Sequence, residues 1–249
     1  MEPTAQVVLE HGSARVPTLV YVPDGTGPHA AVVISAEAFG INSFTKEVAA
    51  DLASAGYVVV VPDYYRGAGL RDPENYSDFT EVLSFIERLD FVGATHDVMA
   101  AVDHARSMPE VDPERVALWG YCTGATFVML AAALDRRLAA VIAFFPSQPT
   151  FPEHTPERPV DPIDLMWNIG CPFLLLYGDQ DTTVEVYEEM ARRFERWGIE
   201  HEIRVYEGAG HAFSAPGPPL RHDAAAAASW VDATMFLDRH LRPVYGRVP

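Results

Sequence analysis

The chain has 249 residues, of which 49% are apolar and 21% charged, a balance typical of a globular protein with a sizeable core. Its 35 acidic residues outnumber 18 Lys and Arg, and the formal net charge of −17 disfavours nucleic-acid and anionic-membrane binding. Two cysteines cannot form a disulfide framework, no basic-then-apolar leader opens the chain, and no apolar run reaches the roughly 18 residues of a membrane span. We therefore expect a soluble, cytoplasmic protein, monomeric or homodimeric, that binds neither nucleic acid nor membrane.

Apolar runs typical of strands alternate with patterns typical of helices. The predicted elements are strands at 18–23 and 30–35, a helix at 43–56, a strand at 57–62, helices at 77–88 and 95–107, a strand at 115–120, a helix at 123–135, strands at 139–146 and 172–178, a helix at 183–197, a strand at 201–207 and a helix at 223–240. Asn42 or Ser43 can cap the first helix, and Gly56 stands where a C-terminal glycine belongs. The alternation predicts an α/β fold, a mostly parallel central sheet flanked by helices on both faces.

One segment interrupts this rhythm, since residues 146–170 contain six prolines. The strand pattern resumes directly after it, so we interpret it as a loop rather than an interdomain linker. Residues 1–249 then form one domain, and the proline-rich loop covers the active-site face, where functional loops collect.

A strand-to-helix junction carries the most distinctive motif, Gly120-Tyr121-Cys122-Thr123-Gly124. It fits the nucleophile elbow G-x-S-x-G with Cys in place of Ser. Glycines suit such a tight turn because larger side chains would strike neighbouring backbone. The N-terminus of the following helix favours a thiolate, so the motif predicts a reactive Cys122.

Two more strand ends carry reactive side chains. Asp179 and Asp181 follow the strand at 172–178, and His211 follows the strand at 201–207. Each has a plainer interpretation: Cys122 as a buried apolar residue, Asp181 as a helix cap, Asp179 as a turn residue and His211 as a loop residue. In the order nucleophile, acid, histidine they match α/β-hydrolases instead.

The sequence predicts neither a metal nor a cofactor. The other eight histidines lack zinc-binding spacing, and no G-x-G-x-x-G or Walker pattern occurs. Cys171, which precedes a proline at a strand start, is interpreted as structural.

Several of these segments resemble the dienelactone hydrolase family, the carboxymethylenebutenolidase-like branch of the α/β-hydrolases. The elbow "VALWGYCTGA", the motifs "GDQD" and "YEGAGHAF", and the stretch 34–65 with an acidic residue before F-G-x-N are all similar to that family. Ala125 replaces the second of two glycines in the family elbow. The similarity covers most of residues 15–240 and implies an α/β-hydrolase fold and a hydrolase activity.

The resemblance also implies roles for individual residues. Cys122 would be the nucleophile, His211 the base and Asp181 the orienting acid, because the family acid stands three residues after the glycine that is here Gly178.

Three further residues take their roles from the same resemblance. Glu37 would lie beside the thiol and help it to ionise when substrate binds, although it could equally be a surface loop carboxylate. The backbone N–H groups of Thr123 and Ala38 would form the oxyanion hole.

The substrate site departs from the family. Family members hold a substrate carboxylate with two arginines, but one position is Ala215 here and residues 72–87 contain no arginine. Arg66, Arg71 or Arg88 are the possible substitutes. An anionic dienelactone is therefore disfavoured.

Aromatic residues suggest an apolar or aromatic acyl group instead. The candidates for substrate binding are Phe39, Tyr65, Tyr76 and Trp167, for which core packing is the alternative.

We expect a small-molecule hydrolase that cleaves activated esters, enol lactones or thioesters through a Cys-His-Asp triad and an acyl-cysteine intermediate. An acyltransferase or cyclase with the same triad, or a non-catalytic binding protein of this fold, remains the alternative.

Overall fold

The computed structural model describes residues 1–69, 80–217 and 219–241. The strands are β1 (Ala5–His11), β2 (Ala14–Tyr21), β3 (His29–Ser35), β4 (Val58–Pro62), β5 (Val111–Tyr121), β6 (Ala140–Phe144), β7 (Phe173–Gly178) and β8 (His201–Tyr206). The helices are α1 (Ser43–Ser54), α2 (Thr80–Glu87), α3 (Phe91–Ser107), α4 (Thr123–Leu134), α5 (Pro162–Leu165), α6 (Val184–Trp197) and α7 (Asp223–Leu241). A short 3₁₀ helix, Met166–Asn168, follows α5.

All these strands form one sheet in the order β1-β2-β4-β3-β5-β6-β7-β8. The pairs from β4 through β8 are parallel, whereas β1 pairs with β2 and β2 with β4 in antiparallel orientation. The predicted α/β fold with a mostly parallel sheet is confirmed. Strands β4, β6 and β7 are buried along their whole length, as expected for continuous apolar runs in a parallel sheet.

Helices cover both faces of this sheet. A methyl group at Gly120 of β5 would meet backbone atoms of Ala125 in α4, whereas the neighbouring Trp119 packs against Trp230 of α7 at a ring distance of 5.7 Å. Because successive strand residues point to opposite faces, α4 and α7 lie on opposite sides. None of the described helices combines the length and the apolar character that crossing a bilayer requires.

The N-terminal hairpin of β1 and β2 extends further than the predicted strand at 18–23. A buried aspartate of α3 holds this hairpin: Asp97 Oδ1 lies 2.5 Å from Nε2 of His11, at the end of β1. The same carboxylate accepts two hydrogen bonds from Arg66, at 2.9 and 3.0 Å. We call His11, Arg66 and Asp97 the hairpin cluster.

Helix and strand boundaries otherwise differ from the prediction by a few residues. The helix predicted at 95–107 begins at Phe91, because Asp90 caps it by accepting a hydrogen bond from the Gly93 amide. The strand predicted at 115–120 begins at Val111. Asn42, not Ser43, caps α1, since its Oδ1 accepts from the Thr45 amide at 2.9 Å. The first residues of the helix predicted at 77–88 lie outside the described part of the chain.

The proline-rich segment is more ordered than a plain loop. It contains α5 and the 3₁₀ helix, neither of which was predicted. Its Phe151 packs on Phe91 of α3 at a ring distance of 5.0 Å, and Asn168 donates to the Ala133 carbonyl near the end of α4. Much of this segment therefore packs against α3 and α4.

Candidate active site

The turn between β5 and α4 carries Cys122 in a conformation rare for a side-chain-bearing residue, with φ 50° and ψ −116°. The two glycines of the motif allow the turn to sit against neighbouring backbone. A methyl group at Gly124 would lie 2.2 Å from the carbonyl oxygens of Ser35 and Ala36, and one at Gly120 would lie 2.6 Å from the Gly124 oxygen. The elbow is thus pressed against the end of β3, which is paired with β5.

Three strand ends bring the predicted triad together. Nε2 of His211 lies 3.2 Å from Sγ of Cys122, and Nδ1 lies 2.7 Å from Oδ2 of Asp181. The imidazole therefore bridges the sulfur and the carboxylate by hydrogen bonds at both ring nitrogens.

Asp181 and Asp179 have different partners, which separates the two candidate acids. Asp179 accepts from the Gly208 amide at 2.8 Å and shapes the loop before His211. Asp181 is buried, and besides His211 it accepts from the Thr183 amide at 2.9 Å and from the Tyr187 hydroxyl at 3.2 Å. Burial works to raise the pKa of Asp181, but these hydrogen bonds, chiefly the one from His211, lower it. Asp181 is an anion in this site.

The thiol and the imidazole shift each other's ionisation. Burial works to raise the pKa of the Cys122 thiol, but the charge and the hydrogen bond of His211 outweigh it, so this pKa is lowered. Burial alone would lower the pKa of His211, yet the Cys122 thiolate and the hydrogen bond to Asp181 raise it to about 10. Both shifts favour a thiolate–imidazolium pair over the neutral pair.

Glu37 follows β3 and is buried, with Oε1 accepting from the Asn42 side chain at 3.0 Å. It is not the surface carboxylate that the sequence left as an alternative. Its charge works against ionisation of Cys122 and raises the pKa of the thiol. Two groups therefore act on the thiol pKa in opposite directions, His211 lowering it and Glu37 raising it.

Two backbone amides, one at the elbow and one in the loop after β3, have no acceptor within the described residues. Thr123 is the first residue of α4, so its N–H has no intrahelical acceptor. Within the described residues, the Ala38 amide also has no hydrogen-bond acceptor. These are the two N–H groups that the family resemblance assigns to an oxyanion hole.

Several side chains around the triad were not predicted. Phe145 packs its ring against the His211 ring at 5.2 Å, and both Phe145 and Ala212 have positive φ, at 38° and 59°. Ser147 places Oγ 3.3 Å from the Thr123 hydroxyl, and its hydrogen bond helps to lower the pKa of Cys122. Short-range sequence patterns carry no signal for these residues, because only the fold brings them to the elbow.

The four aromatic residues predicted to bind substrate differ in where the structure places them. Phe39, the residue after Ala38, and Tyr65 are buried, and the Tyr65 hydroxyl donates to the Ala38 carbonyl at 2.8 Å. Tyr76 lies outside the described residues. Trp167 is 57% exposed, and its neighbour in the 3₁₀ helix contacts the far end of α4, about 15 Å along that helix from Cys122. The structure does not bring Trp167 to the triad.

The arginines considered as substitutes for the family's carboxylate-binding pair also differ in their surroundings. Arg66 is bound to Asp97 in the hairpin cluster. Arg88 donates to Ser84 and lies over the Phe85 ring, and Arg71 lies outside the described residues. Among the residues that the structure describes, no group of three or more His, Cys, Asp or Glu is arranged to hold a metal ion.

The sequence profile of the dienelactone hydrolase family matches residues 16–241. The chain belongs to the dienelactone hydrolase family. As a member it is a hydrolase, and the resemblance inferred from its motifs is confirmed. A relative from Bradyrhizobium named "Probable 2-oxo-3-(5-oxofuran-2-ylidene)propanoate lactonase" is 29% identical over 236 residues, covering 93% of this chain and 92% of the relative.

Other comparisons agree on the family and the fold. A "Putative carboxymethylenebutenolidase" from Salmonella typhimurium is 31% identical over 214 residues, covering 83% of this dienelactone hydrolase family member and 75% of the relative. The crystal structure of a "Putative Dienelactone Hydrolase" from Klebsiella pneumoniae superposes with a TM-score of 0.83 at 23% identity, covering 94% of this chain and 98% of that one.

Proposed function

We propose that this hydrolase cleaves activated esters, enol lactones or thioesters through Cys122, His211 and Asp181, with an acyl-cysteine intermediate. The observation that carries the proposal is the continuous hydrogen-bond chain from Sγ through both ring nitrogens to a buried carboxylate, with distances of 3.2 and 2.7 Å. A nucleophile held by a base, which is itself held by an acid, is the arrangement that covalent acyl transfer requires.

The first half of the reaction forms the acyl-enzyme. His211 takes the proton of the Cys122 thiol, and the sulfur attacks the substrate carbonyl carbon. The oxygen of the tetrahedral intermediate accepts hydrogen bonds from the Thr123 and Ala38 amides. When the carbonyl re-forms, the leaving group departs with the proton held by His211.

Water completes the reaction. His211 removes a proton from the water, the hydroxide attacks the thioester carbon, and the carboxylic acid leaves as Sγ takes the proton back. Asp181 keeps the imidazole oriented with Nδ1–H toward the carboxylate, so Nε2 faces the sulfur in both halves.

The sulfur nucleophile restricts the leaving group. A tetrahedral intermediate expels its better leaving group, and a thiolate departs more readily than a simple alkoxide. Productive turnover therefore favours enol, phenol or thiol leaving groups. The lactonase and carboxymethylenebutenolidase names of the relatives support a lactone among the natural substrates.

Glu37 opposes the ionisation of Cys122 that His211 favours. Its buried charge works to raise the pKa of the thiol, although the effect of His211 is larger, so displacement or neutralisation of Glu37 on substrate binding would lower this pKa further.

The experiment is hydrolysis of p-nitrophenyl acetate and of an enol lactone by the wild type, Cys122→Ala and Cys122→Ser. We expect a loss of at least ~10³-fold in kcat/KM for both variants and an acyl adduct on residue 122 of the wild type in intact-protein mass spectrometry. Cys171→Ala is the matched control, because that thiol is buried and burial raises its pKa to about 12. Full turnover by Cys122→Ala would refute the mechanism.

A further inference from the structure

Tyr64, in the turn after β4, is a buried tyrosine with its hydroxyl against the loop that follows β3. The hydroxyl donates to the Glu37 carbonyl oxygen, with an oxygen–oxygen distance of 2.6 Å, and lies 3.2 Å from the Ala36 carbonyl oxygen. Its ring is fixed by Phe127 of α4 and by Tyr65, at ring distances of 4.9 and 4.6 Å. The hydroxyl is therefore held at one place by packing on two sides.

The Glu37 carbonyl and the Ala38 N–H belong to the same peptide group. This peptide is trans, and in a planar trans peptide the C=O and N–H bonds point in opposite directions. A donor that fixes the carbonyl thereby fixes the direction of the N–H. Hydrogen bonding to the carbonyl also polarises the peptide group and strengthens its N–H as a donor.

We propose that Tyr64 is a positioning residue for the oxyanion hole, which orients and polarises the Glu37–Ala38 peptide so that the Ala38 N–H meets the developing oxyanion. This inference rests on the proposed function and assigns a role that the family resemblance did not supply. Burial raises the pKa of the Tyr64 hydroxyl well above its ordinary value, so the hydroxyl keeps its proton and remains a donor.

A second donor keeps the turn intact without the hydroxyl. The Gly40 amide also donates to the Glu37 carbonyl, at 2.8 Å, and closes the turn of residues 37–40. Tyr64→Phe therefore removes the hydroxyl donor and leaves the backbone turn formed. The expected effect is smaller than the ~10²–10³-fold that follows loss of an oxyanion donor itself.

Tyr57 offers a control outside the site. This buried tyrosine precedes β4, and its hydroxyl donates to Asp238 of α7 at 3.0 Å. Tyr57→Phe removes the same group from another buried tyrosine but leaves the Glu37–Ala38 peptide untouched.

The test compares two reactions of one sulfur. Acylation by p-nitrophenyl acetate builds an oxyanion in its transition state. Its rate is measured by stopped-flow detection of the p-nitrophenolate that is released. Alkylation by iodoacetamide displaces iodide at a tetrahedral carbon and builds none. For full-length Tyr64→Phe we expect acylation to slow about tenfold while alkylation stays within twofold of wild type. For Tyr57→Phe we expect both rates within twofold of wild type.

Equal losses in acylation and alkylation for Tyr64→Phe would overturn the proposal, because they would indicate disturbance of the thiol rather than of the oxyanion hole. Unchanged acylation would overturn it as well. If Tyr64→Phe is not recovered folded, Tyr64→Met, which fills the space with a flexible apolar side chain, must show the same selective loss. Failure of the proposed function is a separate result: acylation of the wild type would then not depend on Cys122.

Discussion

In the described part of the chain, two buried aspartate–histidine pairs look alike in their local geometry. In the triad, Asp181 lies 2.7 Å from His211, and in the hairpin cluster Asp97 lies 2.5 Å from His11. Both aspartate side chains are completely buried, and the two histidine side chains are 33% and 29% exposed. Distance and burial alone therefore do not distinguish the candidate catalytic pair from the structural one.

The difference lies in which ring nitrogen meets the carboxylate. His211 uses Nδ1 and so directs Nε2, at the tip of the ring, to the Cys122 sulfur. His11 uses Nε2 itself, and its carboxylate partner is also bound by Arg66. A carboxylate bound to Nδ1 leaves Nε2 available for proton transfer. A carboxylate bound to Nε2, with its charge balanced by an arginine, instead serves as a structural clamp between elements.

Replacing each histidine by glutamine gives the largest expected difference in activity between the two pairs. His211→Gln removes the proposed base and the cation that lowers the thiol pKa, so kcat/KM for p-nitrophenyl acetate should fall at least ~10³-fold. His11→Gln should leave kcat/KM within twofold and lower the free energy of unfolding in urea by about 1 kcal/mol, since one hydrogen bond of the clamp is weakened. A large activity loss in His11→Gln would remove the distinction between the two pairs.

Asp181→Asn gives the next largest effect. The variant cannot hold the imidazolium by charge, so we expect kcat to fall about 10²–10⁴-fold. The pH midpoint for iodoacetamide alkylation of Cys122 should rise, because the thiolate depends on a protonated His211. Asp179→Asn is the matched control, as that carboxylate bonds the Gly208 amide rather than the histidine. A midpoint that stays constant in Asp181→Asn would show that Asp181 does not support the ion pair.

Glu37→Gln gives the smallest effect on the thiol and has the opposite sign. The carboxylate raises the thiol pKa, so its neutralisation should lower the pH midpoint of Cys122 alkylation and speed alkylation below that midpoint. The glutamine can still accept from Asn42. Glu47→Gln, an exposed change on α1, should leave the midpoint unchanged. A rise in the Glu37→Gln midpoint would contradict the assignment of Glu37 as a restraint on ionisation.

The sequence allowed the sheet and the convergence of Cys122, Asp181 and His211 to be predicted, because each residue lies within five residues after the end of a strand and parallel strands end at one edge. It did not reveal β1, which alternates between exposed and half-buried positions and lacks a continuous apolar run. Nor did it distinguish Trp167, an exposed residue far from the triad, from an aromatic residue at the site.

The sequence did not allow the contacts between distant segments of the chain to be predicted. Tyr64 and Tyr187 hold backbone and carboxylate groups of the site through their hydroxyls, yet each stands in a stretch that also suits ordinary packing. The identity of a tyrosine does not tell where its hydroxyl ends, since that depends on how two elements far apart in the chain are packed. Only the assembled fold supplies this information.

The residues with positive φ have a consequence for engineering this hydrolase. In the described chain, the non-glycine residues of this kind are Arg66 of the hairpin cluster and three residues at the triad: Cys122, Phe145 and Ala212. A left-handed conformation costs about 1–2 kcal/mol for a residue with a side chain. Selection for heat resistance alone would therefore gain most readily by relaxing the very edge that holds the sulfur and imidazole in place, so a screen for robust variants has to score turnover at every round.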